Sequence, residues 1–450
     1  MAIKKPVVIT TSKKSTSEKE FSFTKDQVRM SGNALVDSYR EKAWEIFQST
    51  NIPTTRDEPW RRTDIRGLKI DQFKLMDPNQ KYEINDIPEA LLEPVADGDH
   101  GGQIVIYGNE VLSKVDKELQ EKGVIYCDLL TAEREYPELL AKALGKIVKP
   151  EEGKFSALTG AFAQNGVFLY VPKNVIIDAP IHSLLWGADL DFAHISHVVV
   201  YLESGASATY VLEFASPTEA TGQSLITNNI EVYVGQHANL RFVELQSLGR
   251  HVWNFTHERV QVDRDGQLDW IFGAIGGHLT KNFAELDLIA QGAVGKMSGF
   301  YFTDQNQHLD YDSQQNHLAA HTTSDLLFKG ALVDASRSVW QGMIYVAPGA
   351  DKTDGYQANR NLLLSKQARA DSIPGLEILA NDVRCTHGAT VGKIDADQVF
   401  YLMARGISRN DAEKLIVEGF FDPIMQRIPF DGVKLRFQKA IADKMGSYLG

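Results

Sequence analysis

The sequence is poor in cysteine, in long apolar runs and in positive charge. Cys127 and Cys385 are the only cysteines among 450 residues. Secreted proteins of this size usually have more, so we expect a reducing compartment and a soluble, cytoplasmic protein. No run approaches the ~20 apolar residues that span a bilayer, so we expect no membrane segment. A net charge of -12 without a basic stripe argues against a nucleic-acid partner.

Several catalytic motifs are also missing. The sequence contains no GxxxxGK[ST] phosphate-binding loop, no GxSxG nucleophile elbow and no HExxH zinc motif. These absences argue against a nucleotide hydrolase, an α/β-hydrolase and a zinc protease of the common types. Any chemistry must therefore come from less conspicuous residues.

The first third of the chain shows two kinds of sequence. Residues 1–23 are rich in Lys, Ser and Thr without an apolar stretch, which predicts a disordered tail. Apolar residues then recur at helical spacing over residues 24–48 and 131–144. We predict a mainly helical N-terminal domain over residues 24–160.

The middle of the chain alternates short β-branched and aromatic runs with turn residues. Positions thirty residues apart, counted from Gly205, carry similar side chains in four successive copies. Alternate residues of a strand face the same side, so these columns predict an inward face repeated in each coil. We predict a right-handed parallel β-helix over residues 161–394, with register lost after about Ser324. The two clearest columns are Tyr210, Leu240, Trp270 and Phe300, and Leu212, Phe242, Phe272 and Phe302.

Helical signals return at the end of the chain, where residues 395–450 form a predicted helical domain. Asp395 and Ser408 stand at helix N-cap positions, and Asp422-Pro423 predicts the start of another helix. Such a module can dock a partner, or it can simply cap the last coil of the β-helix. The pattern alone does not separate these two functions.

Two clusters of polar residues suggest alternative functions. His317 and His321 stand four apart, with His308 and Asp310 upstream, which would suit a metal site if the segment were helical. The surrounding residues indicate strand and loop, which favours ordinary polar histidines. Asp310, Asp312 and Asp325 could provide the acid and base of a carbohydrate-active β-helix enzyme. That enzyme would normally be secreted, which the cysteine content argues against.

The remaining candidate is the segment Cys385-Thr386-His387. In a strand, Cys385 and His387 point to the same face and could together ligate a soft or borderline metal ion. An iron–sulfur cluster normally needs about four ligands, so this pair is at most half a site. By spacing alone, a small buried cysteine and a polar histidine at a strand end are the simpler interpretation.

Several motifs around this segment, in a fixed order, resemble the SufB/SufD family of the SUF iron–sulfur cluster assembly system. Within it the SufD type is favoured, because SufB-type chains carry Glu where this chain has Gly388. They also carry a cysteine about two dozen residues before that position, where this chain has none. The matching segments are Glu58–Thr63, Phe155–Leu158, Gly166–Pro172, Leu376–Ile378, Asn381–Gly392, Phe400–Leu402 and Arg405–Ile407.

The resemblance implies a non-catalytic scaffold subunit with a parallel β-helix between helical domains. It implies pairing with a SufB-type subunit through the β-helix and docking of the SufC-type ATPase on the C-terminal helices. A nascent cluster, or its iron, would form at the interface between the two scaffold subunits. His387 and then Cys385 are the implied site residues, with transient iron or cluster and no stably bound cofactor. A homodimer of the isolated chain is compatible with this family.

Overall fold

A computed structural model shows a mainly β chain built as a parallel β-solenoid of about eight turns with helices toward both ends. This architecture confirms the predicted fold class. No helix in the described part of the chain is long and apolar enough to cross a membrane. The structure describes residues 20–77, 83, 87–92, 101–187, 190–428 and 431–449.

The helices lie before and after the solenoid. They are α1 (Ala34–Ser49), α2 (Glu89–Leu92), α3 (Lys117–Glu121), α4 (Leu129–Glu135), α5 (Pro137–Leu140), α6 (Lys154–Phe162), α7 (Ala396–Met403), α8 (Arg409–Met425) and α9 (Asp431–Leu449).

Two sheets form the walls of the solenoid. Sheet A contains β1 (Lys74–Leu75), β4 (Ile125–Asp128), β5 (Asn165–Val171), β7 (Phe192–Leu202), β9 (Ser224–Val234), β11 (Val252–Val262), β13 (Leu279–Leu288), β15 (His308–His317), β17 (Arg337–Val346) and β19 (Arg369–Ile378). Sheet B contains β2 (Gly102–Tyr107), β3 (Glu110–Val115), β6 (Ile181–Trp186), β8 (Ser207–Ala215), β10 (Asn239–Leu248), β12 (Gln267–Gly276), β14 (Val294–Thr303), β16 (Thr323–Leu332), β18 (Thr353–Leu363) and β20 (Val383–Lys393).

From β5 onward, successive strands alternate between the sheets, and from β7 onward each pairs in parallel with the strand two places before it. The first strands differ, because β3 pairs with β2 and β4 with β5 in antiparallel orientation. The strands β1 to β4 therefore lie inside the segment for which the sequence predicts mainly helix.

The structure contains the predicted inward-facing positions in successive coils, but the number of residues between them is not constant. Tyr210 pairs with Phe242, Phe242 with Trp270, and Trp270 with Met297, in steps of 32, 28 and 27 residues. The constant step of thirty residues was therefore wrong, because each coil varies in its turns. The rings of Tyr210, Phe242 and Trp270 stack at centroid distances of 5.7 and 5.9 Å. Parallel pairing continues through β16, β18 and β20, beyond the point where the predicted register is lost.

Phe300 and Phe302 were assigned to the inward columns, and the structure contradicts this. Because the step into β14 is odd, both side chains turn to the outer face of sheet B. There they contact Phe421 of α8, at ring centroid distances of 5.8 and 6.4 Å. The apolar residues of β14 thus contribute to two cores, one inside the solenoid and one between sheet B and the C-terminal helices.

The N-terminal helices cover the outer face of sheet A. Phe155 of α6 stacks on Phe255 of β11 at 3.8 Å, within a cluster that also includes residues of α1. Phe21 and Phe23 are buried in the same cluster. The predicted tail therefore ends before them, and residues 1–19 lie outside the described part of the chain.

The C-terminal helices cover the outer face of sheet B, so they do not cap the last coil. Phe421 of α8 and Phe437 of α9 pack on Phe300. Arg436 of α9 donates two hydrogen bonds to Glu213 of β8, at 2.7 and 2.8 Å. Pro423, which the sequence places at the start of a further helix, lies inside α8, two residues before its last residue Met425.

The interior of the solenoid also contains polar side chains. Glu244 of β10 and Glu258 of β11 are both buried and lie next to each other, beside Asn282 of β13. Burial raises the pKa of both carboxyl groups, and the neighbouring carboxyl raises that of Glu258 further. Two carboxylates cannot both be charged at this distance in an apolar interior, so the pair holds a proton.

Candidate functional site

The candidate site lies on the last coil of the solenoid. There β19 and β20 are the final strands of sheets A and B, and within the described residues no strand pairs with their outer edges. Ile378, Leu379 and Val391 are exposed on this coil. The segment that carries Cys385 and His387 is a strand, as its sequence predicts.

Cys385 points into the end of the solenoid. It is half-buried and packs against the apolar cluster formed by Ile344, Val346 and Ala350. Burial raises the pKa of the Cys385 thiol, and the nearby charge of Asp354 raises it further. The free chain therefore holds this residue as a neutral thiol at neutral pH.

His387 lies two residues further along the same strand, so it shares the inward face of β20. It pairs across the sheet with the buried Gln357, yet its own side chain is exposed. Cys385 therefore faces the interior while His387 reaches the open end. The two residues thus share one face of β20, where Cys385 is half-buried and His387 is exposed.

The metal site predicted from His317 and His321 is not formed. His317 ends β15 and is fully buried, whereas His321 lies in the following turn with φ 59°. The spacing of four residues has no helical meaning here. Among the described residues, no group of three or more His, Cys, Asp and Glu side chains is placed to hold a metal ion.

The hydrogen bonds of His317 nevertheless define its tautomer. Thr322 donates its hydroxyl proton to the Ala319 carbonyl at 3.1 Å, so it accepts from His317 Nδ1 at 2.8 Å. His317 Nε2 then carries the lone pair and accepts from the Ser324 hydroxyl at 2.8 Å. Burial lowers the pKa of His317 to about 4, so the ring is neutral at physiological pH.

Gly355 of β18 separates His317 from Cys385. A Cβ atom built on Gly355 would lie 3.3 Å from Cys385 Sγ, from His317 Nε2 and from Ile344 Cγ2. The φ angle of Gly355 is not positive, so the backbone does not require glycine at this position. A side chain at this position would crowd all three groups, so glycine allows the thiol and the imidazole to lie close to the backbone of β18.

The carboxylates proposed for carbohydrate chemistry are engaged elsewhere. Asp310 is fully buried and forms an ion pair with Lys281 at 3.0 Å, and it also accepts a hydrogen bond from Thr63. Burial raises the pKa of Asp312 to about 6, although the same lysine lowers it. Asp325 lies on β16 in the other sheet. Asp310 thus connects the N-terminal segment to the solenoid, and the carbohydrate-enzyme alternative is not supported.

A second exposed surface lies on α7, which follows β20 directly. Phe400, Tyr401 and Met403 are exposed there, with Phe400 at 71%. Leu415 of α8 is also exposed and lines a cavity of about 540 Å³ between α8 and α9. We call Phe400, Tyr401 and Met403 the α7 surface. Apolar side chains this exposed are typical of an interaction site.

Sequence reasoning missed Gly355 and connected His317 to the wrong neighbours. Gly355 stands one coil before Cys385, so an extended register would have placed the two side by side. His317 comes from the opposite sheet, and no spacing along the chain relates it to Cys385. Its proximity depends on how sheet A and sheet B face each other.

The fold defines the class of protein: a parallel β-solenoid with helices toward both ends. The chain matches the family model "SUF system FeS cluster assembly, SufBD core domain" over residues 186–420. It also matches "SufBD protein N-terminal region" over residues 13–182. The chain belongs to the SufBD family of iron–sulfur cluster assembly proteins.

Curated relatives agree with this assignment. The iron–sulfur cluster assembly protein SufD of Bacillus subtilis is 32% identical over 334 residues, which cover 74% of this chain and 76% of the relative. An iron–sulfur cluster assembly SufBD family protein of Staphylococcus saprophyticus is 30% identical over 349 residues, covering 77% and 73%. A SufBD family protein of Staphylococcus epidermidis has the same identity and coverage.

Proposed function

We propose that the chain is a SufD-type scaffold subunit without catalytic activity of its own. It pairs with a SufB-type subunit in the cytoplasm, and a nascent iron–sulfur cluster forms where the two meet. The observation that carries this proposal is the position of Cys385 and His387 on a solenoid end whose strand edges are free. A partner that extends both sheets would bring further ligands directly to these residues.

The edges of the last coil suit strand pairing. β19 and β20 present 10 and 11 residues of extended backbone, with no partner strand on their outer side in the described part of the chain. Such edges normally invite β-augmentation by another chain. A second copy of this chain could use the same edges when the SufB-type subunit is absent, which gives a homodimer.

The α7 surface is the proposed docking site of the SufC-type ATPase. It follows β20 after only two residues, so movement of α7 would act on the strand that holds Cys385 and His387. The exposed aromatic rings of Phe400 and Tyr401 offer the kind of anchor found at interface hot spots. ATP binding by that partner could thus be transmitted to the site.

His387 is the first residue of the proposed site and Cys385 the second. Both act on iron or on the cluster as cargo, and neither holds a permanent cofactor. His387 is accessible at the proposed interface, whereas Cys385 supports it from inside. The sequence supports the SufD type over the SufB type, because Gly388 follows the histidine.

The test is complementation of cluster assembly in cells that lack the native subunit. His387→Ala is expected to fold with an unchanged melting temperature, since its side chain is exposed, and to lower cluster assembly at least tenfold. His321→Ala provides a matched control, because it removes a turn histidine away from the site. Full assembly activity in His387→Ala would contradict the proposed site.

A further inference from the structure

A cavity of about 330 Å³ lies between sheet A and the loop that follows α1. Its walls come from the segment 50–60, from the start of α6 and from His257 of β11. We propose that this cavity binds a small organic anion, a carboxylate or phosphate attached to a flat apolar body. In sheet A, β13, β15 and β17 separate β11 from the last strand, so the cavity is distinct from the site at Cys385 and goes beyond the proposed function.

The start of α6 supplies backbone donors to the cavity. The helix has nine residues, and its N-cap is Gly153, which has no side chain that could accept from the first turn. In the described part of the chain, the backbone N–H groups of Lys154 and Phe155 donate to no acceptor. Both residues line the cavity. The free N–H groups and the helix dipole favour an anion at this end of the helix.

The side chain of Lys154 adds a positive charge that lacks a partner of opposite sign. It is 8% exposed, donates one hydrogen bond to the Phe47 carbonyl at 2.6 Å, and lies 3.9 Å from the centroid of the Phe47 ring. Burial lowers the pKa of Lys154, and the charge of Glu20 opposes this without forming an ion pair among the described residues. An ammonium group has three donors, so two remain for an anion. A bound anion would therefore compensate the buried charge.

His257 is the third group that faces the cavity. Its side chain is 4% exposed and stacks on Phe283 at 4.7 Å, and neither ring nitrogen has a hydrogen-bond partner in the described part of the chain. Nε2 lies toward α6, because a Cβ built on Gly153 would be 3.7 Å from it. Burial, together with the charges of Arg259 and Lys281, lowers the pKa of His257 to about 3. The neutral ring can donate one N–H, and the nearby cations favour an anion as its acceptor.

Two carboxylates also line this cavity, and both are already engaged. Glu152 forms an ion pair with Arg259 at 2.6 Å and accepts from the Lys149 backbone N–H at 2.9 Å. Asp57 accepts from the backbone N–H of Thr54 at 2.7 Å and from its hydroxyl. Their negative charge is thus directed to their own neighbours. The donors of α6 and of the two basic side chains remain available to a ligand.

The opposite wall of the cavity is apolar and determines the body of the ligand. Ile52, Pro53, Pro59 and Trp60 line it, and the ring of Trp60 packs on Phe155 at a centroid distance of 5.6 Å. Proline and tryptophan rings present flat faces to a bound molecule. A ligand with a flat apolar body and one anionic group therefore matches both walls.

Fluorine NMR titration of the full chain with para-fluorobenzoate tests the proposal. We expect binding with a dissociation constant below about 1 mM, in the range of a small ligand held by a few contacts. The neutral para-fluorobenzamide has nearly the same shape and should bind about tenfold more weakly or worse. Para-fluorophenyl phosphate distinguishes the two anionic groups, since the tighter anion identifies the one that the site prefers. Equal binding of the amide, or no binding of either anion at about 10 mM, would overturn the inference.

Lys154→Met removes the ammonium group and should weaken binding of the preferred anion by about tenfold or more. Lys329→Met is the matched control. Lys329 of β16 is buried to the same extent, donates to the Phe420 carbonyl at 2.7 Å and lies 4.9 Å from that ring, but it belongs to sheet B. This control should bind the anion within about twofold of the unmodified chain, because it changes no group in the cavity. Unchanged affinity in a folded Lys154→Met variant would contradict the proposed site.

Gly153→Ala tests the same site without removing a donor, in case Lys154→Met disturbs folding. The backbone of Gly153 is extended, with φ 161°, and the added methyl group would meet no atom closer than His257 Nε2 at 3.7 Å. The variant should therefore fold with a melting temperature within a few degrees of the unmodified chain. Because the methyl group covers the imidazole nitrogen, anion affinity should fall by about fivefold or more. If Gly153→Ala binds like the unmodified chain, the anion does not lie between α6 and His257 and the inference is wrong.

Discussion

The two ends of the solenoid are built differently. At the first end, the sheets finish with short antiparallel strands, β4 with 4 residues and β3 with 6. At the other end they finish with the parallel strands β19 and β20, of 10 and 11 residues. Short edge strands protect a protein from unwanted strand pairing, whereas long edges invite it. One end is closed by its own chain, and the other is the end at which we propose that a partner pairs.

The same difference extends to the interior. Between the ends, stacked aromatic rings fill the solenoid, and Phe242 is fully buried between Tyr210 and Trp270. At the last coil, Cys385 and His387 occupy the inward face in place of the rings. The stacked interior stabilises the fold, whereas the last coil carries the residues of the proposed site. The following predictions test this division, in order of decreasing effect.

The largest effect is expected in the closed interior. Phe242→Ala removes a ring stacked on both sides and leaves a cavity, so it should lower the free energy of unfolding by about 3–5 kcal/mol. Tyr356→Ala removes an aromatic ring that is exposed near the open end, and should cost less than about 0.5 kcal/mol. Chemical denaturation of both variants measures the difference. Equal losses would show that the last coil is as tightly packed as the centre.

A charge on the long edge should weaken subunit pairing. Val391→Lys on β20 places an ammonium group on the edge that we assign to the partner, so affinity for a SufB-type subunit should fall at least tenfold. Leu112→Lys is the matched control on the short edge strand β3, since the two side chains are exposed to 46% and 44%. Copurification and quantitative binding measure both.

A substitution on the α7 surface provides the reciprocal test to Val391→Lys. Phe400→Asp should weaken binding of the SufC-type ATPase and leave pairing with the SufB-type subunit unchanged, while Val391→Lys should do the opposite. If both variants lose both partners, the two surfaces do not act separately. The division between edge and helix would then be wrong.

The smallest effect concerns the buried carboxyl pair and its dependence on pH. The pKa of Glu258 is raised in the folded chain, so above pH ~4.5 the folded state holds a proton that the unfolded state releases. Stability therefore falls as pH rises, by up to about 1.4 kcal/mol per pH unit, until the raised pKa is passed. Glu258→Gln keeps a donor for Glu244 but cannot titrate. Denaturation between pH 5 and 8 should show a shallower slope for this variant, and parallel slopes would contradict the shared proton.

Much of the fold was predictable because a solenoid repeats one pattern. The columns containing Tyr210 and Trp270 followed from alternation along strands, and the N-caps Asp395 and Ser408 from local helix chemistry. The register failed at Phe300 because a single odd step exchanges the two faces of a strand. Single-residue variation in turns leaves no periodic signal.

The candidate site was predictable only in part. Cys385 and His387 are neighbours on one strand, so their shared face followed from the sequence. His317 reaches Cys385 across the interior, from the opposite sheet and past Gly355, and this depends on tertiary packing. The sequence also could not predict whether the C-terminal helices cap the last coil or lie on a sheet. Both positions require an apolar helix face.

The way the C-terminal helices are attached has a mechanical consequence. α8 and α9 lie across β12, β14 and β16, and Lys444 and Arg436 fasten them to Asp304 and Glu213. In a solenoid each coil otherwise contacts only its neighbouring coils, so the structure can unfold one coil at a time. The helices act as a brace over the middle coils and stop short of the last one. We therefore expect the coil that carries Cys385 and His387 to unfold locally more readily than the coils that the helices cover.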